Sequence, residues 1–199
     1  YIHIPFCRRR CGYCAFVDYA SQDEHLWASY VAAVTAEIGR WNCQSALTKV
    51  ATVFFGGGTP TLLSLPLLAD CVGAIRDSFD VDPLAEWTIE GHPVTLRGPS
   101  GNEKLSGLVS LGFNRLSLGV ESLSPSILAR LGREYSREDV ADVMEAARRS
   151  GLVNINLDII LGWPWEKDDD YKKSLAMVAA LNPTHLSVYP LKVEEGTPF

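Results

Sequence analysis

The sequence contains no apolar run close to the roughly 20 residues that a membrane-spanning helix needs. It also lacks an excess of basic residues. Lys and Arg number 18 against 24 Asp and Glu, and the resulting net charge of −6 argues against broad nucleic-acid affinity. No basic-then-apolar leader is visible, yet Tyr1 lies inside an apparent strand and Phe199 ends the run "EEGTPF". We therefore expect a domain cut from a longer protein, with no membrane span.

The cysteines are unevenly placed. Of five cysteines, Cys7, Cys11 and Cys14 fall within "CRRRCGYC", which favours reduced cytoplasmic thiols or a metal site over a disulfide framework. Zinc usually takes four ligands, and no second CxxC-like pair follows. Three thiolates are one short of the four that close a [4Fe–4S] cluster, so one iron would stay open to a non-protein ligand. The alternative is three core or chance cysteines. We expect Cys43 and Cys71, in helix-like segments, to be buried core thiols.

Strand and helix patterns alternate along the chain and predict a parallel sheet covered by helices on both faces. The predicted strands are "YIHIPF" (1–6), "ATVFFGG" (51–57), "EWTIEGH" (86–92), "NRLSLGV" (114–120), "VNINLDIILG" (153–162) and "HLSVYPL" (185–191). Helical stripes run between them, with a capping box of Ser21 and Glu24, a second cap at Ser136, and stops at Gly112 and Gly151. The class is α/β, either an open sheet or a barrel.

Polar residues at the predicted strand ends favour the barrel. The cysteine cluster follows the first strand, "GGGTP" (56–60) follows the second, and Glu90, Glu121 and Asp158 lie late in the next three or in the turns after them. Barrels of the TIM type gather active-site residues at the carboxyl ends of all their strands, whereas open sheets bind ligands at one switch point. Each carboxylate taken alone is as well explained by helix capping or a salt bridge.

The glycine run is not a phosphate-binding P-loop, because no lysine follows at the required position. Three consecutive glycines allow a ligand to approach the backbone closely, or they form a tight turn. Arg133, in the loop after the fourth strand, could neutralise a ligand carboxylate or could be a solvated loop residue. Trp163 and Trp165 could line a pocket or only pack.

Five segments together resemble a known family: "YIHIPFCRRRCGYC", "FFGGGTPTLL", "NRLSLGVES", "NINLDIILG" and "LSVYPLKVEEGTPF". In this order along the whole chain, they are similar to radical S-adenosylmethionine (SAM) proteins of the oxygen-independent coproporphyrinogen III oxidase family, nearest to its HemW-like heme-chaperone branch. The resemblance implies a partial (β/α)6 barrel, the radical SAM core, over residues 1–199, with the family's C-terminal domain absent.

The resemblance also implies two cofactors. Cys7, Cys11 and Cys14 would bind a [4Fe–4S] cluster whose open iron is chelated by the methionine part of SAM. The residues that would contact SAM are Tyr1, Tyr13, Gly56, Gly57, Gly58, Thr59, Glu90, Glu121, Arg133 and Asp158. In the family, the reduced cluster passes one electron to the SAM sulfonium, which yields methionine and a 5′-deoxyadenosyl radical. The protein orients the bond and excludes water and oxygen.

Four departures from the family pattern stand out. Phe16 occupies the place of a fourth cysteine in the oxidase-like pattern C-x3-C-x2-C-x-C, which favours the chaperone-like branch. Glu121 replaces a usual glutamine, and "EGHP" replaces Glu-x-Asn-Pro, which places His92 at the asparagine position. "GWPWEK" replaces a Gly-Leu-Pro-Gly-Gln-Thr-like turn. No catalytic residue is assigned.

Three functional hypotheses follow. The first is a heme chaperone that binds the cluster, SAM and heme and passes heme to an accepting protein. The second is a catalytic relative that generates a 5′-deoxyadenosyl radical, such as a two-SAM methyltransferase, a cyclopropanase or an oxidase. The third is a structural iron–sulfur or zinc module without SAM chemistry. Arg8, Arg9 and Arg10 would present a positive rim to an acidic flavodoxin or ferredoxin electron donor, or form a solvated loop.

Overall fold

The architecture is taken from a computed structural model. It describes residues 1–44 and 49–199, except for the side chains of residues 42–44 and 168. The strands are β1 (Ile2–Ile4), β2 (Phe6–Cys7), β3 (Tyr19–Ala20), β4 (Lys49–Gly57), β5 (Asp80–Gly91), β6 (Arg115–Glu121), β7 (Asn154–Leu161) and β8 (His185–Pro190). The helices are α1 (Glu24–Gln44), α2 (Leu65–Ser78), α3 (Pro93–Leu96), α4 (Gly98–Leu111), α5 (Pro125–Leu131), α6 (Arg137–Ser150) and α7 (Asp168–Ala180). Over these residues, no helix combines the length and the apolar character needed to cross a membrane.

Six strands form one parallel sheet in the order β1-β4-β5-β6-β7-β8, and every neighbouring pair is parallel. This confirms the α/β class and the six predicted main strands. Because the strands are parallel and joined by helices, their carboxyl ends lie at one edge of the sheet. The residues predicted from five of the six strand ends are therefore delivered to the same side of the molecule.

The first predicted strand is two strands in the structure. Pro5 separates β1, which pairs with β4, from β2, which pairs in parallel with β3. The prediction missed β3 because Tyr19 and Ala20 pair only with Phe6 and Cys7, and two residues carry no periodic signal. This small second sheet fixes both flanks of the loop that holds the cysteines.

Helix termini follow the predicted signals in three places and differ in one. Gly112 and Gly151 end α4 and α6 in the left-handed conformation, and Ser136 forms a capping box with Asp139. The capping box predicted for α1 is wrong. Asp23 caps that helix, since its Oδ1 accepts from the backbone N–H groups of His25 (2.9 Å) and Leu26 (3.4 Å).

The core lies between the sheet and its helices. Among its fully buried side chains are Phe55, Ile89, Leu116, Leu118, Ile155 and Leu157 from the central strands. Cys71, predicted as a core thiol, is fully buried on α2, while the side chain of Cys43 lies outside the described residues. Burial of these apolar groups, at roughly 25 cal/mol per Å², stabilises the sheet that carries the strand ends.

Candidate cluster and cofactor site

The three clustered cysteines lie on the cluster loop, which we define as residues 7–14. Cys7, Cys11 and Cys14 are free thiols of intermediate exposure, whereas Cys71 is buried. A turn closes the loop, since the Cys14 N–H donates to the Cys11 carbonyl (3.1 Å). Burial raises the pKa of Cys7 to about 11 and also raises the pKa of Cys14. Thiols with raised pKa values would lose their protons only together with the binding of a metal.

The glycine run after β4 packs against the cluster loop. The N–H groups of Gly58 and Thr59 donate to the carbonyls of Ile4 (2.8 Å) and Phe6 (2.7 Å). The Thr59 hydroxyl contacts the Cys7 Sγ at 3.8 Å. A Cβ at position 58 would lie 2.6 Å from the Phe6 carbonyl oxygen and 2.9 Å from the Cys7 Sγ. The absence of a side chain at Gly58 is thus what lets this turn approach the first cysteine.

Gly57 and Gly56 shape the next part of the turn. Gly57 has a φ of +114°, and a Cβ there would meet the His3 ring at 2.6 Å. At position 56 an added Cβ would approach Tyr1 and the Glu90 Oε2, each at 3.0 Å. The Gly57, Gly58 and Thr59 N–H groups already donate to protein acceptors. Because an ammonium group carries donors alone, one bound here would need carbonyl and hydroxyl oxygens of this turn as its acceptors.

Glu90, near the end of β5, is held beside the glycine turn. Its Oε2 accepts a hydrogen bond from the Gly57 N–H at 3.0 Å. Burial raises the pKa of Glu90 to about 7, with the hydrogen bond from Gly57 opposing and the negative charges of Asp158 and Glu121 adding to the rise. The three predicted carboxylates are thus close enough to repel one another, and this crowding favours a positively charged ligand.

The raised pKa of Glu90 predicts how stability depends on pH. In the unfolded chain the group loses its proton near pH 4.5, while in the folded chain it keeps the proton until about pH 7. The unfolding free energy of the cluster-free chain should therefore fall as pH rises from about 4.5 to 7, by up to about 3 kcal/mol from this group. Urea unfolding at several pH values measures the fall.

In Glu90→Gln that part of the pH dependence should disappear. Glu103→Gln, at an exposed position of α4, is the matched control for the loss of one carboxylate. If Glu90→Gln and the wild type lose stability in parallel across this range, the assignment to Glu90 is wrong.

Arg133 is the centre of a second buried group. Its Nη2 donates to Glu121 Oε1 (2.9 Å) and to the Tyr13 hydroxyl, and its Nη1 donates to His92 Nε2 (2.7 Å). Burial alone would lower the pKa of Arg133, but the Glu121 carboxylate beside it raises that pKa above its usual value. Burial, with the nearby arginines adding to it, lowers the pKa of His92 to about 3, so the ring is neutral and accepts from Arg133.

The backbone aims Glu121 into this group. The register between β6 and β7 shifts between Gly119 and Glu121, which marks a bulge, and Glu121 has a φ of +60°. A non-glycine residue in the left-handed region is uncommon and is concentrated at functional sites. The bulge turns the side chain of the last strand residue toward Arg133.

Asp158 is oriented by neighbours that no motif in the sequence indicates. Its Oδ2 accepts from the Ser117 hydroxyl (2.8 Å), and its Oδ1 accepts from Asn156 Nδ2 (2.9 Å). The Asn156 Oδ1 in turn faces His185 Nδ1 (2.5 Å) and accepts from Ser187 (3.1 Å). In the parallel sheet, Ser117 on β6 pairs with Glu90 on β5 and with Asn156 on β7. The hydrogen bonds that orient Asp158 could therefore be found only from the register between the strands.

The predicted positive rim is largely paired within the protein. Arg8 lies 3.6 Å from Glu134, and Arg10 lies 3.1 Å from Asp18. Arg9 donates to the carbonyls of Leu131 and Gly132. Since the three cations have acidic or carbonyl partners, the loop carries less free positive charge than its sequence indicates.

Aromatic side chains adjoin the cluster loop. The rings of Tyr13 and Trp163 are 5.1 Å apart, and those of Trp165 and Phe199 are 5.6 Å apart, both edge to face. The Phe199 N–H donates to the Gly12 carbonyl at 3.2 Å. The two tryptophans of "GWPWEK" therefore pack with the cluster loop and with the last residue of the chain.

The residues present fit the two expected groups. Three half-exposed thiols share one loop. The glycine turn beside them has no room for a Cβ at positions 56, 57 or 58. Three carboxylates and one guanidinium suit a ligand with a sulfonium, an ammonium and a carboxylate group. The buried Arg133 Nε has no partner among the described residues and is available to a ligand oxygen.

Over residues 1–44 and 49–199, no three His, Cys, Asp or Glu side chains converge so as to hold a single metal ion. A four-iron cluster makes a different demand, since its thiolates bind separate iron atoms and need not converge on one point.

Known proteins match this chain in both sequence and fold. The profile of the Radical SAM superfamily matches residues 1–178. Heme chaperone HemW of Synechocystis sp. is 38% identical over 204 residues, which cover 100% of this chain and 48% of that protein. HemW of Bacillus subtilis is 36% identical, with coverage of 100% and 52%. The chain thus spans about half the length of the curated relatives it matches.

Solved structures show the same fold. Coproporphyrinogen III oxidase (HemN) from Escherichia coli, a radical SAM enzyme, superposes with a TM-score of 0.88 at 30% identity, over 96% of this chain and 43% of that one. The methyltransferase TsrM from Kitasatospora setae, solved with cobalamin and a [4Fe–4S] cluster, has a TM-score of 0.66 at 18% identity, over 99% of this chain and 35% of that one. The second likeness concerns the fold alone.

Proposed function

The chain belongs to the radical SAM superfamily, and we propose that it forms the cluster- and SAM-binding half of a HemW-like heme chaperone. Proteins of this superfamily generally hold a [4Fe–4S] cluster and SAM. The observation that carries the proposal for this chain is the placement of three half-exposed cysteines on one loop, with Cys7 against Thr59 of the glycine turn. The similarity to proteins named HemW supports the chaperone role.

Different residues of the site would bind the cluster and SAM. Cys7, Cys11 and Cys14 would hold the cluster through three thiolates and leave one iron for SAM. When bound and reduced, the cluster would supply one electron to the sulfonium group of SAM. The turn of Gly56, Gly57, Gly58 and Thr59 would receive the ammonium group of SAM, and the unpartnered Arg133 Nε would donate to its carboxylate.

The remaining predicted contacts orient the nucleoside part. Asp158, held by Ser117 and Asn156, would accept hydrogen bonds from the ribose hydroxyls. Tyr13, with its hydroxyl bound by Arg133, would lie near the adenine. Glu90 would bind polar parts of the ligand, and Tyr1 would line the open side, where its side chain is 73% exposed. A cationic ligand beside Glu90 would restore that carboxyl group to its ionised form.

Phe16 favours the chaperone role over an oxidase role. It stands where the oxidase-like pattern has a further cysteine, and its side chain is 71% exposed. The finer proposals are heme binding, transfer to a heme-accepting protein and reduction by a flavodoxin or ferredoxin type of donor. A catalytic radical SAM enzyme is the alternative, because the same site geometry would serve SAM cleavage.

Anaerobic reconstitution of the full-length protein tests the proposal. We expect about four iron and four sulfide per chain, and an electron paramagnetic resonance (EPR) spectrum of the reduced cluster that changes when SAM is added. Zinc, no metal, or a cluster spectrum indifferent to SAM would overturn it. Tight heme binding with little 5′-deoxyadenosine formed supports the chaperone role, and abundant 5′-deoxyadenosine or an altered product supports the enzyme.

A further inference from the structure

We propose that Arg9 is a positioning residue that clamps the cluster loop onto residues 131–134, which we call the arginine loop. The inference rests on the proposed function, since it assumes that Cys7, Cys11 and Cys14 hold the cluster. It goes further by assigning a task to a residue that contacts neither ligand. The clamp would set the distance between the cluster and Arg133, and thereby how SAM bound at Arg133 reaches the open iron.

The first half of the clamp is the Arg9 guanidinium. Its Nη2 donates to the Gly132 carbonyl and, at 3.4 Å, to the Leu131 carbonyl. These oxygens end α5, where unpaired carbonyls carry partial negative charge and favour a cation. Arg9 is 123 residues distant from Gly132 in sequence, so this contact joins two loops that share no strand pairing.

The second half of the clamp is the bare backbone of Gly132. A Cβ at this position would lie 2.6 Å from Arg9 Nη2 and 3.4 Å from Arg9 Cζ. The φ of +61° at Gly132 is one that asparagine also adopts at helix ends. An alanine at this position would therefore strain the backbone and would also push the flexible Arg9 guanidinium away from the carbonyls that it binds.

A second contact joins the same two loops, with the arginine on the arginine loop and its acceptor on the cluster loop. Arg133, next to Gly132, donates to the hydroxyl of Tyr13, which lies between the second and third cysteines. Each loop thus supplies an arginine that binds the other. Arg133 is also fixed by Glu121 and His92, so a displacement of the arginine loop would be passed to the cluster loop and not absorbed. Arg8 and Glu134 form a further, half-exposed pair that adds little.

The two possible roles of Arg9, clamping the cluster loop and attracting an acidic electron donor, predict different results. If Arg9 only attracted an acidic donor, its loss would slow reduction by that donor at low salt and leave the cluster unchanged under a chemical reductant. If Arg9 holds the loop, its loss changes the cluster itself under dithionite, with no protein donor present.

Four variants test the clamp: Arg9→Ala, Gly132→Ala, the double variant, and Arg137→Ala as the control. Arg137 is a partly exposed arginine on α6 that pairs with its neighbour Glu138. In Arg9→Ala and in Gly132→Ala we expect a chelator to remove iron roughly tenfold faster, because a factor of ten corresponds to the free energy of about one hydrogen bond to a charged group. We also expect a smaller SAM-induced change in the EPR spectrum. In the double variant the effects should not add, because both changes break one contact.

Cluster-free protein supplies a readout that does not need the cofactors. Hydrogen exchange at the amides of residues 10–14 should be roughly tenfold faster in Arg9→Ala than in Arg137→Ala, and Arg9→Lys should restore part of the protection. Wild-type exchange, iron retention and EPR response in Arg9→Ala would overturn the clamp, as would additive effects in the double variant. Failure of the wild type to hold a four-iron cluster would instead overturn the proposed function.

Discussion

Replacing Cys7, Cys11 and Cys14 together with alanine should reduce iron loading from about four atoms per chain to background. The physical reason is that these three thiols are the partly exposed cysteines of the cluster loop, whereas Cys71 is buried in the core and out of reach of a cluster there. Metal analysis and the visible absorption of the anaerobically reconstituted protein measure the loss. Circular dichroism should show the helices retained, because the sheet core does not involve these thiols.

Cys71→Ala is the matched control. It removes one thiol of the same kind from the buried face of α2. Truncation of a buried side chain should lower the unfolding free energy by about 1 kcal/mol while the iron content stays at the wild-type level. Iron retained in the triple variant at four atoms per chain would contradict the assignment of the cluster to this loop.

Glu121→Ala should destabilise the chain by about 3–5 kcal/mol, because it leaves the Arg133 guanidinium as an uncompensated buried charge. The exposed fractions of the two side chains are only 8% for Arg133 and 15% for Glu121. Tyr13 and His92 remain as hydrogen-bond partners, but both are neutral and cannot balance the charge. Urea unfolding of the cluster-free chain gives the free energy.

The control for this prediction is Glu145→Ala, which breaks the pair of Glu145 with Arg149 on α6. Those side chains are 69% and 60% exposed, so the expected cost is at most about 1 kcal/mol. Glu121→Gln keeps an acceptor for Arg133 Nη2 and should fall between the two. Equal unfolding free energies for Glu121→Ala and Glu145→Ala would show that Arg133 does not depend on this carboxylate.

The sequence predicted the main strands and the helix ends well because the responsible signals are local. Apolar runs and the left-handed glycines at positions 112 and 151 act within a few residues of where they stand. The wrong capping box at the start of α1 also comes from a local signal. Ser21 and Asp23 both carry an acceptor near the helix start, and only the backbone path decides that Asp23 reaches the free N–H groups.

The partners of the predicted site residues could not be read in the same way. Nothing near His92 in the sequence indicates that its ring accepts from Arg133, and nothing near Ser117 or Asn156 indicates that they hold Asp158. Such contacts depend on the register between strands and on where loops from distant parts of the chain meet. Arg9 is the clearest example, since the loop clamp that we propose for it depends on Gly132, which follows α5 and lies 123 residues away in the sequence.

By itself, the sequence determined which side chains this protein can offer to a cluster and a cofactor: three thiols on one loop, a glycine run, and carboxylates at the ends of apolar strands. Spacing and strand order were enough for that, because parallel strands bring their carboxyl ends to one edge. Only the tertiary structure decided which charges pair, which carboxyl group is pushed toward its neutral form, and which arginines hold the loops together. Those outcomes depend on burial and on distances of a few ångströms between residues far apart in the chain, and local sequence carries no record of either.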